Sequence, residues 1–321
     1  MLHCTQMELN KMKESKKFLY IINYPTFEEE LCMLEMRSIF NTEPKDKVLI
    51  SSIDFNPSFS TFIKSRLEVF HEKENFEDIL KELDKDVIKL DDFKLEFIKP
   101  LKADVPFSER FGYLSEIGDK ILGVPDIKFP KLVLGLGKHN EKWVFGIHEK
   151  NDNLWSTHEK KPCSYSNSLS VRVAKSVVNL AANGDHNTKI IDPCCGVGTT
   201  IVEGLSMGYE IWGTEISEKN TNNAKRNLNF FNLEPRVKHQ DMHTIKENYD
   251  SSIVDIPYGL FSHITKEQQQ DIIDTARRIS KKMILITFED LDYMVEKSGF
   301  KIVDRCAVTK GSFKRYILVC E

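Results

Sequence analysis

Residues 192–199 read Asp192-Pro193-Cys194-Cys195-Gly196-Val197-Gly198-Thr199, directly after the apolar pair Ile190-Ile191 and at the start of a helical stretch. Strand, glycine turn, helix is the context a nucleotide-binding loop requires, because glycines let backbone approach a ligand and the helix start offers free N–H groups. About 20 residues beyond the first glycine, Glu215 follows the strand-like Glu210-Ile211-Trp212, placed to accept hydrogen bonds from both hydroxyls of a ribose. A dinucleotide fingerprint would want glycine or alanine where Ile201 stands, and Asp192 would repel a pyrophosphate while suiting an ammonium group. The pattern therefore favours S-adenosyl-L-methionine. Asp241, after Val237-Lys238-His239, stands where such folds contact adenine and reads equally well as a plain helix cap. With Cys195, Thr199 and Ile216, these residues make up the expected cofactor-binding set: Asp192, Cys195, Gly196, Gly198, Thr199, Glu215, Ile216 and Asp241. No His or cation stands beside Cys194 or Cys195 to lower a thiol pKa, so neither is expected to be a nucleophile.

Working outward, a helix is expected over Ser168 to Ala181, followed by alternating strands and helices with short apolar strands at Ile190-Ile191, Glu210-Ile211-Trp212 and Ser252-Ile253-Val254. That alternation specifies an α/β fold with a parallel, doubly wound sheet. Near the end, strands at Lys282 to Thr287, Phe300 to Ala307 and Arg315 to Val319 flank a helix at Leu291 to Ser298. The turn Lys310-Gly311-Ser312 makes the last two an antiparallel pair, for seven strands in all.

The second chemical signal is Asp255-Ile256-Pro257-Tyr258-Gly259, at the end of an apolar strand of the same sheet. The exocyclic amine of a nucleic-acid base is a poor nucleophile because its lone pair is delocalised into the ring, so both N–H groups must be held and the lone pair aimed. Asp255 and the Ile256 carbonyl can accept those two bonds, Pro257 fixes the turn and has no N–H to compete, and Tyr258 can stack on an extruded base. Asp255, Ile256, Pro257 and Tyr258 are thus the expected catalytic residues. Alone, such a tetrapeptide reads as a proline turn; its place after the glycine loop and Glu215 gives it the functional reading.

A chain of 321 residues suggests two or more units. The first half is α+β in character: strands at Phe18 to Ile22, Lys47 to Ser51, Phe93 to Ile98, Leu132 to Leu136 and Lys142 to Ile147 alternate with helices at Phe27 to Phe40, Phe76 to Leu83 and Leu114 to Ile121. The polar run Glu149 to Asn153 marks a boundary. Seven cysteines without CxxC pairs or Cys/His clusters predict free thiols and no metal. No apolar run approaches a bilayer span and the start lacks an export signal, so a cytoplasmic, non-membrane protein is expected. A net charge of −4 restricts phosphate contacts to a local patch, for which Lys99, Lys102, Lys138, Lys160, Lys161, Lys310, Lys314 and Arg315 are candidates.

On these residues the second half resembles class I methyltransferases that modify amino groups of nucleic acid, and more closely the THUMP-domain tRNA guanosine-10 N2-methyltransferases. The similarity runs through Lys161-Pro162, Ser168-Leu169-Ser170, Asp192-Pro193, Cys195-Gly196, Gly198-Thr199, Asn227-Leu228, Asp255, Pro257-Tyr258-Gly259 and Ser262, about half the chain. It departs where Cys194 replaces the usual aromatic, Ile256 the commoner proline and Glu215 the commoner aspartate; none of these removes a required polar group. The resemblance implies a ferredoxin-like domain at 1–72, a THUMP-like RNA-binding domain at 73–153 and a Rossmann-like methyltransferase domain at 154–321, the last expected to bind its cofactor without the first half. It further implies methylation of guanine N2 in tRNA. Adenine N6 or cytosine N4 is the alternative target, and a non-catalytic RNA-binding module the alternative of another class. Oligomeric state is not legible.

Overall fold

The computed structural model describes residues 16–85, 88–98, 101, 105–165, 168–257, 264–310 and 313–321, the side chains of 310 and 313 excepted. The chain forms two compact units, and neither is a continuous stretch.

The first unit comprises the residues up to Asn23, Pro44–Pro57 and Ile63–Asn151. Its elements, together with α1 (Glu29–Phe40) which belongs to the other unit, are β1 (Phe18–Ile22), β2 (Val48–Ser51), β3 (Ile63–Lys73), α2 (Phe76–Leu83), β4 (Ile88–Lys89), β5 (Phe93–Phe97), α3 (Phe107–Gly118), β6 (Ile121–Leu122), β7 (Leu132–His139) and β8 (Lys142–Lys150). Six strands form a sheet in the order β2-β1-β3-β8-β7-β5, antiparallel except for β5 with β7. Strand β3 passes through residue 72, where a domain boundary was expected, and pairs with β1 on one side and β8 on the other. One sheet therefore runs through both stretches expected as separate domains. Its two faces carry separate cores, Phe76, Ile79, Ile117, Leu134 and Phe145 among others on one, and Leu19, Leu67, Val69 and Val144 on the other. Gly146 is required where β8 meets β3: a Cβ there would lie 1.8 Å from the Glu68 carbonyl oxygen.

The second unit comprises Tyr24–Glu43, Ser58–Phe62 and Asp152–Glu321. After α4 (Val171–Ala182) come β9 (Lys189–Asp192), α5 (Thr199–Ser206), β10 (Glu210–Glu215), α6 (Glu218–Phe230), β11 (Val237–His239), β12 (Tyr249–Asp255), α7 (Lys266–Ile279), β13 (Ser280–Thr287), α8 (Asp292–Lys297), β14 (Ile302–Lys310) and β15 (Phe313–Cys320). The seven-stranded sheet runs β11-β10-β9-β12-β13-β15-β14, with the first five parallel and β15 antiparallel to both its neighbours. Counted within the sheet this is 3-2-1-4-5-7-6, the class I methyltransferase arrangement expected from the sequence. The order reverses between β9 and β12, and in open α/β sheets ligands bind at the carboxyl ends of the strands at that switch point.

Helix α1 joins this unit through partners that sequence spacing does not reveal. Its buried Glu35 accepts from Ser176 Oγ at 2.6 Å and Asn179 Nδ2 at 2.8 Å, both on α4. Arg37 forks onto Asp304 at 2.8 Å through both Nε and Nη2. Glu30 accepts the Ala307 N–H of edge strand β14 at 2.8 Å, and Glu28 pairs with Arg172. Side-chain capture of an edge N–H blunts a sheet edge that could otherwise recruit another strand. The second unit thus draws on residues well before position 154. Among the described residues no helix is long and apolar enough to cross a membrane, and no group of three or more His, Cys, Asp or Glu could hold a metal ion.

Candidate active site

The loop after β9 turns through Gly196 and Gly198, whose φ angles of 54° and 77° are left-handed and costly for any other residue. Asp192 fastens the loop from beneath: one carboxylate oxygen accepts the Cys194 N–H at 3.1 Å, the other the Thr200 hydroxyl at 2.5 Å. Burial outweighs these bonds and pushes its carboxyl up to about 7, helped by the nearby Asp255 and Glu215 charges.

Glu215, at the end of β10, ties two loops together. Its Oε2 accepts the Gly196 N–H at 3.0 Å and its Oε1 the Ser217 N–H at 2.8 Å. Ser217 in turn caps α6 by accepting from the Asn220 N–H. An ionised carboxylate has about four lone-pair sites, so two remain for a ligand's hydroxyls. Asp241 accepts the His243 N–H at 2.9 Å and caps the short turn Met242–Thr244, so the cap expected as one of its two readings is present.

Asp255 ends β12. Its Oδ1 is buried and has no hydrogen-bond partner among the described residues. Burial raises its carboxyl to about 6, against the pull of Arg315. The next residues are held in place: the Ile256 N–H donates to the Ile286 carbonyl at 3.1 Å, and Gln269 Nε2 donates to the Pro257 carbonyl at 3.4 Å. Tyr258 lies outside the described residues.

Several of these groups line a cavity of about 890 Å³. Of the expected site residues Glu215, Ile216, Asp241, Asp255, Ile256 and Pro257 line it. Asp192, Cys195 and Thr199 instead line an adjoining cavity of about 30 Å³, which Asp255 also reaches, and Gly196 and Gly198 line neither. The large cavity also uses residues the sequence did not single out: Tyr165, Lys219, Asn220, Asn223 and His243. Asn227, buried in α6 and not among the cavity's lining residues, was noted only as part of the resemblance. Its amide accepts the Cys163 N–H at 2.8 Å and donates to the carbonyls of Cys163 at 2.8 Å and Val197 at 2.9 Å. It staples the segment before α4 across the glycine loop. An asparagine mid-helix is a poor helix former, and that is the one signal that could have marked it.

Residues 158–292 match the family model described as UPF0020, RMKL-like, methyltransferase domain. Over this stretch the chain is similar to the methyltransferase domain of that family. The matched stretch takes in the glycine loop, Glu215, Asp241 and Asp255, so every element of the cavity just described belongs to the methyltransferase domain. The tRNA (guanine(10)-N2)-dimethyltransferase of Methanothermobacter thermautotrophicus is 24% identical over 269 residues, covering 76% of this chain and 79% of that protein. The enzyme of the same name from Pyrococcus abyssi is 26% identical over 176 residues, 51% of this chain and 53% of that protein. The crystal structure of TrmN from Thermus thermophilus aligns over 95% of this chain and 99% of that chain, at 16% identity and a TM-score of 0.47.

Of the cations expected to meet phosphate, Lys138 pairs with Glu141, Lys314 lies over Tyr316 and Arg315 over Phe288, while Lys99, Lys102 and the Lys310 side chain fall outside the described residues.

Proposed function

We propose that this chain is an S-adenosyl-L-methionine-dependent RNA methyltransferase that methylates the N2 amine of guanine in tRNA. The observation that carries the reading is Asp255 Oδ1, a buried carboxylate oxygen without a partner among the described residues, on the wall of a cavity that Cys194 and Val197 of the glycine loop and Glu215 also line. A buried acceptor left unpaired costs about 1–3 kcal/mol, which a protein tolerates where a ligand supplies the donor.

The residues present suit the cofactor. A cavity of about 890 Å³ is of the size that holds drug-sized ligands, and its acids Glu215, Asp241 and Asp255, with Asp192 just beyond, favour a ligand carrying positive charge. The expected roles are Glu215 at the ribose hydroxyls, Asp241 and Ile216 at the adenine, and Asp192 at the amino-acid ammonium. Bound there, the cofactor supplies a methyl group already activated on a sulfonium.

The chain's own groups then orient the acceptor. Asp255 Oδ1 accepts one N–H of the exocyclic amine and is a base for the proton that the amine gives up as its nitrogen gains the methyl. The Ile256 carbonyl accepts the second N–H, and Gln269 steadies the turn through the Pro257 carbonyl. No metal or covalent enzyme intermediate is needed, because alignment of an activated donor supplies much of the rate.

The choice of guanine N2 and of tRNA is supported by the names of the two curated relatives. RNA recognition falls to the first half of the chain in this reading. Calorimetric titration with adenosylmethionine, and transfer of its labelled methyl to unmodified tRNA by wild type but not by Asp255→Ala, test the proposal. Absence of cofactor binding would refute it.

A further inference from the structure

The two cavities of the methyltransferase domain share four lining residues, Tyr165, Cys194, Val197 and Asp255, whereas Asp192, Thr199 and Thr200 line only the smaller one. The small cavity, with Asp192 on its wall, thus adjoins the large one at the residues common to both. Of these, Cys194 and Val197 belong to the glycine loop and Asp255 ends a central strand. Tyr165 alone is a large side chain standing half out in solvent, 45% exposed.

Its placement is specific. Asn227 clamps the backbone two residues earlier, and the Ser168 N–H donates to the Tyr165 carbonyl at 3.1 Å. The phenol oxygen is brought so close to the glycine loop that a Cβ on Gly196 would lie 2.3 Å from it. The backbone is thus anchored, while the hydroxyl has no hydrogen-bond partner among the described residues and the side chain is half exposed. The small cavity, which the ring helps to line, offers about 30 Å³, room for a water-sized group such as an ammonium and too little for the carbon chain that would carry it. Among the described residues no Lys or Arg lines that space, and two carboxylates do.

We propose that the small cavity is the inner end of the cofactor site, taking the ligand's amino-acid ammonium against Asp192, and that the Tyr165 ring closes it until that end of the ligand displaces the ring. This rests on the reading of the large cavity as an adenosylmethionine site. Tyr165 is then a specificity device: it penalises only those ligands that bear an amino-acid moiety, and Asp192 rewards them. A ligand whose binding form is only fractionally populated loses apparent affinity by that fraction, and removing the ring removes the loss.

Two probes separate the ends of the site. Adenosylhomocysteine carries the amino-acid moiety, and 5′-methylthioadenosine has the same nucleoside and thioether without it. Titration calorimetry at pH 8 should find that Tyr165→Ala binds adenosylhomocysteine roughly fivefold or more tightly, with methylthioadenosine unchanged within about twofold. Tyr165→Phe, which keeps the ring and guards against a folding defect in the alanine variant, should match wild type for both. Asp192→Asn should weaken adenosylhomocysteine by about tenfold and leave methylthioadenosine alone. Equal effects of Tyr165→Ala on both ligands, weaker adenosylhomocysteine binding, or tightening in the phenylalanine variant would overturn the proposal. Failure of wild type to bind either ligand would instead overturn the cofactor reading, and this inference with it.

Discussion

Replacing Asp192 by asparagine should stabilise the ligand-free protein, and more so as the pH rises. The exchange is close to isosteric and keeps both bonds: the amide oxygen can accept the Cys194 N–H, and the amide nitrogen can donate to the Thr200 hydroxyl oxygen. What it removes is a buried charge. The folded carboxyl titrates at about 7, above its ordinary value of 3.8, so the native state holds a proton there that the unfolded chain releases. For an acid raised on folding, stability falls as pH climbs from the unfolded towards the folded value, and the full cost is present above about 7. With about 1.4 kcal/mol per unit, the wild type should lose about 2–3 kcal/mol between pH 5 and pH 8 that the asparagine variant keeps. Asp255 and the other acids titrate in both proteins and largely cancel in the difference. Urea unfolding of the full chain at the two pH values measures it. An advantage of the variant that is absent at pH 8, or equal at pH 5 and pH 8, would refute the assignment of Asp192 as an uncompensated buried acid.

Asp255→Ala should abolish methyl transfer in a single-turnover assay while cofactor affinity stays within a few-fold; retained transfer would remove Asp255 from the reaction. Glu215→Ala leaves the Gly196 and Ser217 N–H groups without their acceptor and should weaken adenosylmethionine by roughly tenfold or more in calorimetry, so an unchanged constant would place the ribose elsewhere. A fragment of residues 154–321 should be poorly folded, because it strips Glu35 from Ser176 and Asn179, Glu30 from the β14 edge and Arg37 from Asp304. Circular dichroism melting checks this, and a cooperative, cofactor-binding fragment would show that α1 is dispensable.

Much of the second unit was legible because its signals are local. Apolar runs, a glycine turn with positive φ and an acid after the next strand fix β9, α5 and β10 within a few dozen residues. The docking of α1 was not, since Glu35, Arg37 and Glu30 find partners more than 140 residues away and a buried glutamate looks in sequence like any surface one. The helix expected from Leu114 begins at Phe107 instead. Phe107 and Phe111 face solvent, which puts apolar residues on the wrong face and hides the helical period. Within the site, Glu215 and Asp255 were readable from position in the sheet. Tyr165 was not, because it sits in an irregular polar run and reaches the cavity only through the Asn227 clamp. The burial of Asp192 below the loop was equally hidden, since sequence gives the order of ligand-bearing residues and not their depth.

The central claim is methyl transfer from adenosylmethionine to guanine N2 in tRNA. Incubation of the purified full chain with labelled adenosylmethionine and unmodified tRNA transcripts, digestion to nucleosides and chromatographic identification of the labelled one tests it most directly. Label is expected in N2-methylguanosine or its dimethyl form. Label in N6-methyladenosine or N4-methylcytidine would contradict the substrate, and absence of label from tRNA in a protein that binds the cofactor would contradict tRNA as its target.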